Sequence, residues 1–180
     1  PRQPPSTTCS TGARHQWRGI HDPGMVRQAV TVSLDAEALA AGNGYRITGN
    51  EEYAEVMMTA AKTLTERYDE DVKAIRSWGD KDDQEPPYQV IVDNMMNLEL
   101  LFWATQHSGD STYAKIAINH ADQTMEHHYR EAGSSYHVVD YHPQTGEVID
   151  KRTAQGFGDS SAWARGQSWG LYGYVMSYRE

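Results

Sequence analysis

Asp93 is the carboxylate whose surroundings say most about chemistry. It follows the apolar Val90-Ile91-Val92 and opens a segment carrying Met95, Met96, Leu98, Leu100, Leu101, Phe102 and Trp103. Such a carboxyl reads in two ways. As a helix N-cap it accepts a backbone N–H and stays ionised. As a carboxyl in a cleft, it is desolvated until it donates a proton near neutral pH. The two readings move the pKa in opposite directions, and burial must win for acid chemistry. A second constellation runs from Gln155 to Trp169, where Arg165 and Trp169 lie four apart on one helix face. A guanidinium that binds an anionic oxygen beside an indole that stacks on a sugar ring suits a uronate. The same stretch also reads as a helix capped by Asp159 or Ser160 with tryptophans in an ordinary core. Of the eight histidines, His120, His127 and His128 share one helix, but no carboxylate or third histidine is spaced to close a metal site. His120 falls on a buried stripe and reads as a core histidine. No phosphate loop, dinucleotide glycine motif or nucleophile elbow occurs.

Helices dominate the pattern around these groups. Asn50 is set to cap a helix to about Tyr68, with an apolar stripe of Tyr53, Val56, Met57, Ala60, Ala61, Leu64 and Tyr68. After Asp110 a second helix carries Tyr113, Ile116, Ala117, Ala121 and Met125. The pairs Gly49/Gly109, Tyr53/Tyr113, Ala54/Ala114 and Ala61/Ala121 are each 60 apart, which predicts a repeated helical unit of an α/α array. Between them, about Asp93 to Gln106, lies a helix apolar nearly all round and therefore buried on most sides. Trp163 to Tyr178 reads as the next inner helix, with Gly166, Gly170 and Gly173 allowing close approach. Tyr136–Tyr141 and Glu147–Ile149 flank the turn His142–Gly146 and predict an inserted hairpin near 135–150, one wall of a cleft. Trp78 to Pro87 is a charged loop closed by Pro86-Pro87.

Composition bounds the rest. The 180 residues carry a net charge of −9, which argues against a nucleic-acid partner. The longest apolar run, Leu100 to Ala104, is too short to span a membrane. The single Cys9 excludes an intrachain disulfide framework and fits a reducing, cytoplasmic compartment. Five Trp and 11 Tyr against 2 Phe favour surfaces both apolar and hydrogen-bonding, sugar sites among them. Pro1–Thr11 lacks the apolar core of a signal peptide, and the apolar pattern of Leu171–Glu180 stops without a cap. Residues 1–41 read as an irregular, divergent lead, 42–180 as part of a helical catalytic domain, and the whole as a piece of a longer chain.

Val92-Asp93-Asn94-Met95-Met96-Asn97-Leu98-Glu99-Leu100-Leu101-Phe102-Trp103-Ala104 resembles the signature of the unsaturated glucuronyl hydrolases, glycoside hydrolase family 88. So do Gly44-Tyr45-Arg46-Ile47-Thr48-Gly49-Asn50, Ser135-Tyr136-His137 and Asp159 to Trp169. The resemblance runs from about Gly42 to the end and implies an all-α fold, the N-terminal half of an (α/α)6 barrel. It implies that Asp93 is the general acid/base and that His137, Gln155, Arg165 and Trp169 line the sugar site. The family's second catalytic Asp, in a His-Asp-x-Gly-aromatic motif, has its nearest equivalent at Asp22 in His21-Asp22-Pro23-Gly24-Met25, with Asp35 as the other candidate. The implied activity removes a 4,5-unsaturated uronic acid from the non-reducing end of lyase-generated oligosaccharides by hydration, with no cofactor or metal. An unsaturated rhamnogalacturonyl hydrolase, or an inactive sugar-binding remnant of the barrel, is the alternative.

Overall fold

The computed structural model describes residues 40–80 and 82–180; Cys9, Asp22 and Asp35 lie outside them. Helix α1 is described over 40–48, followed by α2 (Glu51–Thr65), the short strands β1 (Tyr68–Asp69) and β2 (Ala74–Ile75), and β3 (Tyr88–Ile91). A 3-10 turn, Val92–Asn97, leads into α3 (Leu98–Ser108), then α4 (Thr112–His128), β4 (Val138–Tyr141), β5 (Val148–Arg152) and α5 (Ala164–Arg179). No described helix is long and apolar enough to cross a membrane.

Asn50 caps α2 as its type predicts, accepting the Glu52 N–H at 3.1 Å. The stripe that α2 buries is Ala54, Met57, Ala60, Ala61 and Leu64. Tyr53 and Val56 are exposed instead, so the apolar face is rotated toward the small residues, which let the neighbouring helix come close. Tyr68 is not helical, because the chain turns into β1 and the Asp69 carboxylate takes the N–H groups of Asp71 and Val72. On α4 the buried face is Ile116, Ala117, His120, Ala121, Thr124 and His128, while Met125 is exposed. The 60-residue repeat has a physical counterpart at one pair. Gly49 (φ +65°) and Gly109 (φ +78°) both stop a helix in left-handed backbone, and each N–H returns to a carbonyl four residues back at 2.8 Å.

Helix α3 is central. Leu98, Leu101 and Ala104 are fully buried and Phe102 nearly so, packed on Ala61 and Leu64 of α2 and on Ile116, Ala117 and Ala121 of α4. Each buried Leu there contributes roughly 1.5–3 kcal/mol. The predicted continuous helix from Asp93 is in fact split. Residues 92–97 wind tighter, held by Asn94 Nδ2 donating to the Ile75 carbonyl and by the Val92 N–H donating to His137 O. Against this turn lies α5. A Cβ on Gly173 would fall 2.5 Å from Met95 Cβ, so only hydrogen fits. The opposite side of α5 shows Leu171, Tyr172, Val175 and Tyr178 exposed, so α5 is buried on its glycine face only.

The hairpin forms as β4–β5, antiparallel, over a slightly later range than its sequence predicts. It is not free-standing. Strand β3 pairs with β4 in the register Tyr88↔Tyr141 to Ile91↔Val138, giving sheet order β3-β4-β5 over a small core of Val72, Ala74, Tyr88, Val90, Val139 and Tyr141. That pairing sets where Asp93 stands, because β3 ends two residues before it.

Candidate active site

Three segments converge beside the sheet. Asp93 lies in the first turn of the 3-10 segment, whose N-cap residue is Ile91, without a side-chain cap. The carboxylate therefore does not cap, and its Oδ2 is buried with no hydrogen-bond partner. His137, at the entrance to β4, is fully buried at its side chain, and its Nε2 lies 3.6 Å from Asp93 Oδ2. The third segment, 153–165, closes over both. Thr153 N–H donates to Asp159 Oδ1 at 2.7 Å, and Ala154 N–H donates to His137 Nδ1 at 3.1 Å.

That last bond decides the tautomer. Nδ1 accepts, so the proton of the neutral ring sits on Nε2. Burial lowers the His137 pKa to about 4, and the cationic Arg152 and Arg165 push the same way. Asp93 and His137 are therefore no ion pair at neutral pH. An N–H donor and a carboxyl oxygen, both otherwise unpartnered, face one another slightly beyond hydrogen-bond length. Burial raises the Asp93 pKa to about 6, against its own backbone N–H and the charge of Arg165. Burial wins, and both protonation states are populated near neutral pH.

Around this pair stand aromatic and cationic groups. Trp163 lies 4.5 Å from the His137 ring, and the Arg165 guanidinium sits 4.5 Å over Trp163. Arg165 Nη2 donates to Gln155 Oε1 at 2.5 Å. Trp78 meets His137 edge-on at 5.9 Å. Asp93, His137, Gln155 and Arg165 are thus brought together, and Trp169 sits half-buried one helical turn beyond Arg165. Neither Asp159 nor Ser160 caps α5, whose N-cap residue is Trp163; Asp159 holds Thr153 instead. Sequence reasoning missed Trp78 and the role of Trp163. An isolated Trp opening a charged loop is the signal that marks Trp78.

The helix histidines go elsewhere. His120 Nδ1 accepts the Ile75 N–H at 3.0 Å, His128 Nε2 lies 3.1 Å from Val90 O, and His127 Nδ1 lies 3.2 Å from the Tyr141 hydroxyl. Among the described residues no three His, Cys, Asp or Glu side chains are grouped to hold a metal ion.

The model of Glycosyl Hydrolase Family 88 matches residues 11–180. An unsaturated glucuronyl hydrolase of Formosa agariphila is 52% identical over 131 residues, 72% of this chain and 32% of that protein. An unsaturated chondroitin disaccharide hydrolase of Streptococcus agalactiae is 40% identical over 136 residues, 76% of this chain and 34% of that protein. The crystal structure of an unsaturated glucuronyl hydrolase specific for heparin superimposes with a TM-score of 0.74 at 43% identity, covering 79% of this chain and 38% of that one. The helices described above are therefore part of an α/α barrel. The chain spans about a third of the length of these curated relatives.

Proposed function

The chain belongs to glycosyl hydrolase family 88, and from that premise we propose that its protein removes a 4,5-unsaturated uronic acid from the non-reducing end of an oligosaccharide by hydrating the vinyl ether. The observation that carries this reading is the partnerless Oδ2 of Asp93, in a carboxyl raised to about 6 by burial, opposite the Nε2–H of His137. Protonated Asp93 gives its proton to C4. The cation this leaves at C5 and the ring oxygen is captured at C5 by water, whose proton returns to the carboxylate. The C5 hemiketal then opens to a ketone, and the hemiacetal formed at C1 releases the next sugar. Arg165 supplies the charge that meets the uronate carboxylate, with Gln155 and Trp169 beside it, and Trp78 and Trp163 offer flat faces for the ring. Asp22 and Asp35 are the candidates for a second carboxylate. Residues 42–180 supply the part of the barrel that carries the acid.

An ordinary glycosidase directs water to the anomeric carbon with two carboxyl groups about 5–9.5 Å apart. Hydration directs it to C5. Turnover of an unsaturated disaccharide in heavy-oxygen water should place early label on the C5-derived carbonyl and none on the anomeric carbon. Label at the anomeric carbon overturns the proposal.

A further inference from the structure

Trp78 owes its place to a device that no part of the proposed chemistry uses. The carbonyl oxygens of four consecutive residues, 76 to 79, all accept from two guanidinium groups. Arg67 Nε donates to Arg76 O at 2.8 Å, and its Nη2 to Ser77 O at 3.2 Å and Gly79 O at 3.1 Å. Arg76 Nε donates to Trp78 O at 3.0 Å, while Nη1 and Nη2 reach across the loop to Asp83 O at 2.6 Å and Pro87 O at 3.3 Å. Arg76 is 2% exposed and lies over the Tyr88 ring at 5.0 Å. The Tyr88 hydroxyl stands 2.8 Å from the carbonyls of both Arg67 and Ala74.

We propose that Arg67 and Arg76 are positioning residues that hold Trp78 edge-on to His137 and so fix one wall of the sugar site. Only a planar fork of five N–H donors matches several carbonyls at once; an ammonium is a point donor on a flexible stem. Ser77, in the same segment, is tied separately to β3, its hydroxyl accepting the Ile91 N–H at 2.8 Å. The arginines touch neither Asp93 nor His137, so their effect passes through Trp78. The proposal rests on the reading of this site as a sugar site.

A double-mutant cycle in the full-length gene product tests it. With an unsaturated uronyl disaccharide as substrate, Trp78→Ala and Arg76→Met should each raise KM about tenfold and leave kcat within about threefold. In the Trp78→Ala background Arg76→Met should add less than about twofold, because the two losses are one loss. Independent, multiplying effects overturn the proposal, as does an unchanged KM in Arg76→Met. Should Arg76→Met fail to fold, Arg76→Lys and Arg67→Lys carry the same cycle, since each keeps the charge and loses the fork. A substrate-free measurement separates this from the proposed function. Arg76→Met should abolish the component of the near-ultraviolet circular dichroism that Trp78→Phe removes, while Gln106→Ala, on the far end of α3, leaves it in place. Absence of turnover on any unsaturated uronide fails the functional reading alone. Persistence of the Trp78 component in Arg76→Met fails the clamp.

Discussion

His137 and His120 are built alike and used differently. Both are buried, each has one ring nitrogen accepting a backbone N–H, and each leaves its other nitrogen without a partner. Burial lowers both to about pKa 4. The difference lies in what the second nitrogen faces. The Nε2 of His137 meets a carboxyl oxygen that is itself unpartnered, on a side chain 16% exposed, with two indoles and a guanidinium around it. His120 sits on the inner face of α4 and fastens β2 through Ile75. A buried, perturbed histidine is thus no sign of a site by itself. Two unpartnered polar atoms facing each other at the edge of solvent are, because such a pair costs stability that only a ligand or a reaction recovers.

The site histidine's partner is the more sensitive position. Asp93→Asn should lower turnover by about 10²- to 10⁴-fold, since an amide cannot cycle a proton. Its melting transition should be no lower than that of the native protein at pH 7, because the amide removes a poorly solvated charge. An active Asp93→Asn variant removes Asp93 from its role. Next comes the other side. His120→Leu leaves the buried Ile75 N–H without an acceptor and should cost about 1–3 kcal/mol in urea unfolding. His137→Leu should cost less than about 1 kcal/mol, because the Ala154 N–H it frees lies on an exposed residue that water reaches. If His137→Leu proves the more destabilising, the two histidines are the same kind of structural staple.

The sequence carries this contrast only in part. The buried α3 segment, the cap at Asn50 and the paired glycines Gly49 and Gly109 are local, and periodicity or backbone chemistry marks them. His120 reads as a core histidine from its place on the apolar stripe of α4. The competing tendencies at Asp93 are visible as well, but not their outcome, because desolvation depends on what packs around the carboxyl from 40 to 70 residues away. For the same reason β3 is hidden. Four residues, Tyr88–Ile91, become a strand only because β4 offers an edge. Trp78 depends on Arg67 and Arg76, whose guanidinium groups read as surface charge until the carbonyls of Ser77, Trp78, Gly79, Asp83 and Pro87 close on them.

The smallest effect separates the two regions by the sign of a slope. Asp93 has a folded pKa of about 6, above its ordinary 3.8. Its contribution is therefore present below about pH 4 and is lost as pH rises through 6, so the ionised carboxyl costs stability at neutral pH. His120 has a folded pKa of about 4, below its ordinary 6.5. Its contribution is complete above about pH 6.5 and is lost as pH falls toward 4. Between pH 4 and 6 the two slopes oppose. Asp93→Asn should match the native protein at pH 4 and exceed it above pH 6, by about 1–2 kcal/mol once solvent screening of the partly exposed carboxyl is allowed for. His120→Leu should show the reverse: a deficit that is widest above pH 6.5 and narrows on acidification, as the native protein must then protonate a buried ring. Unfolding curves at half-unit pH intervals for the three proteins would show this. A stability difference between the native protein and Asp93→Asn that stays constant from pH 4 to 7 would mean that Asp93 titrates as an ordinary surface carboxylate, and the site would lose the acid on which its chemistry depends.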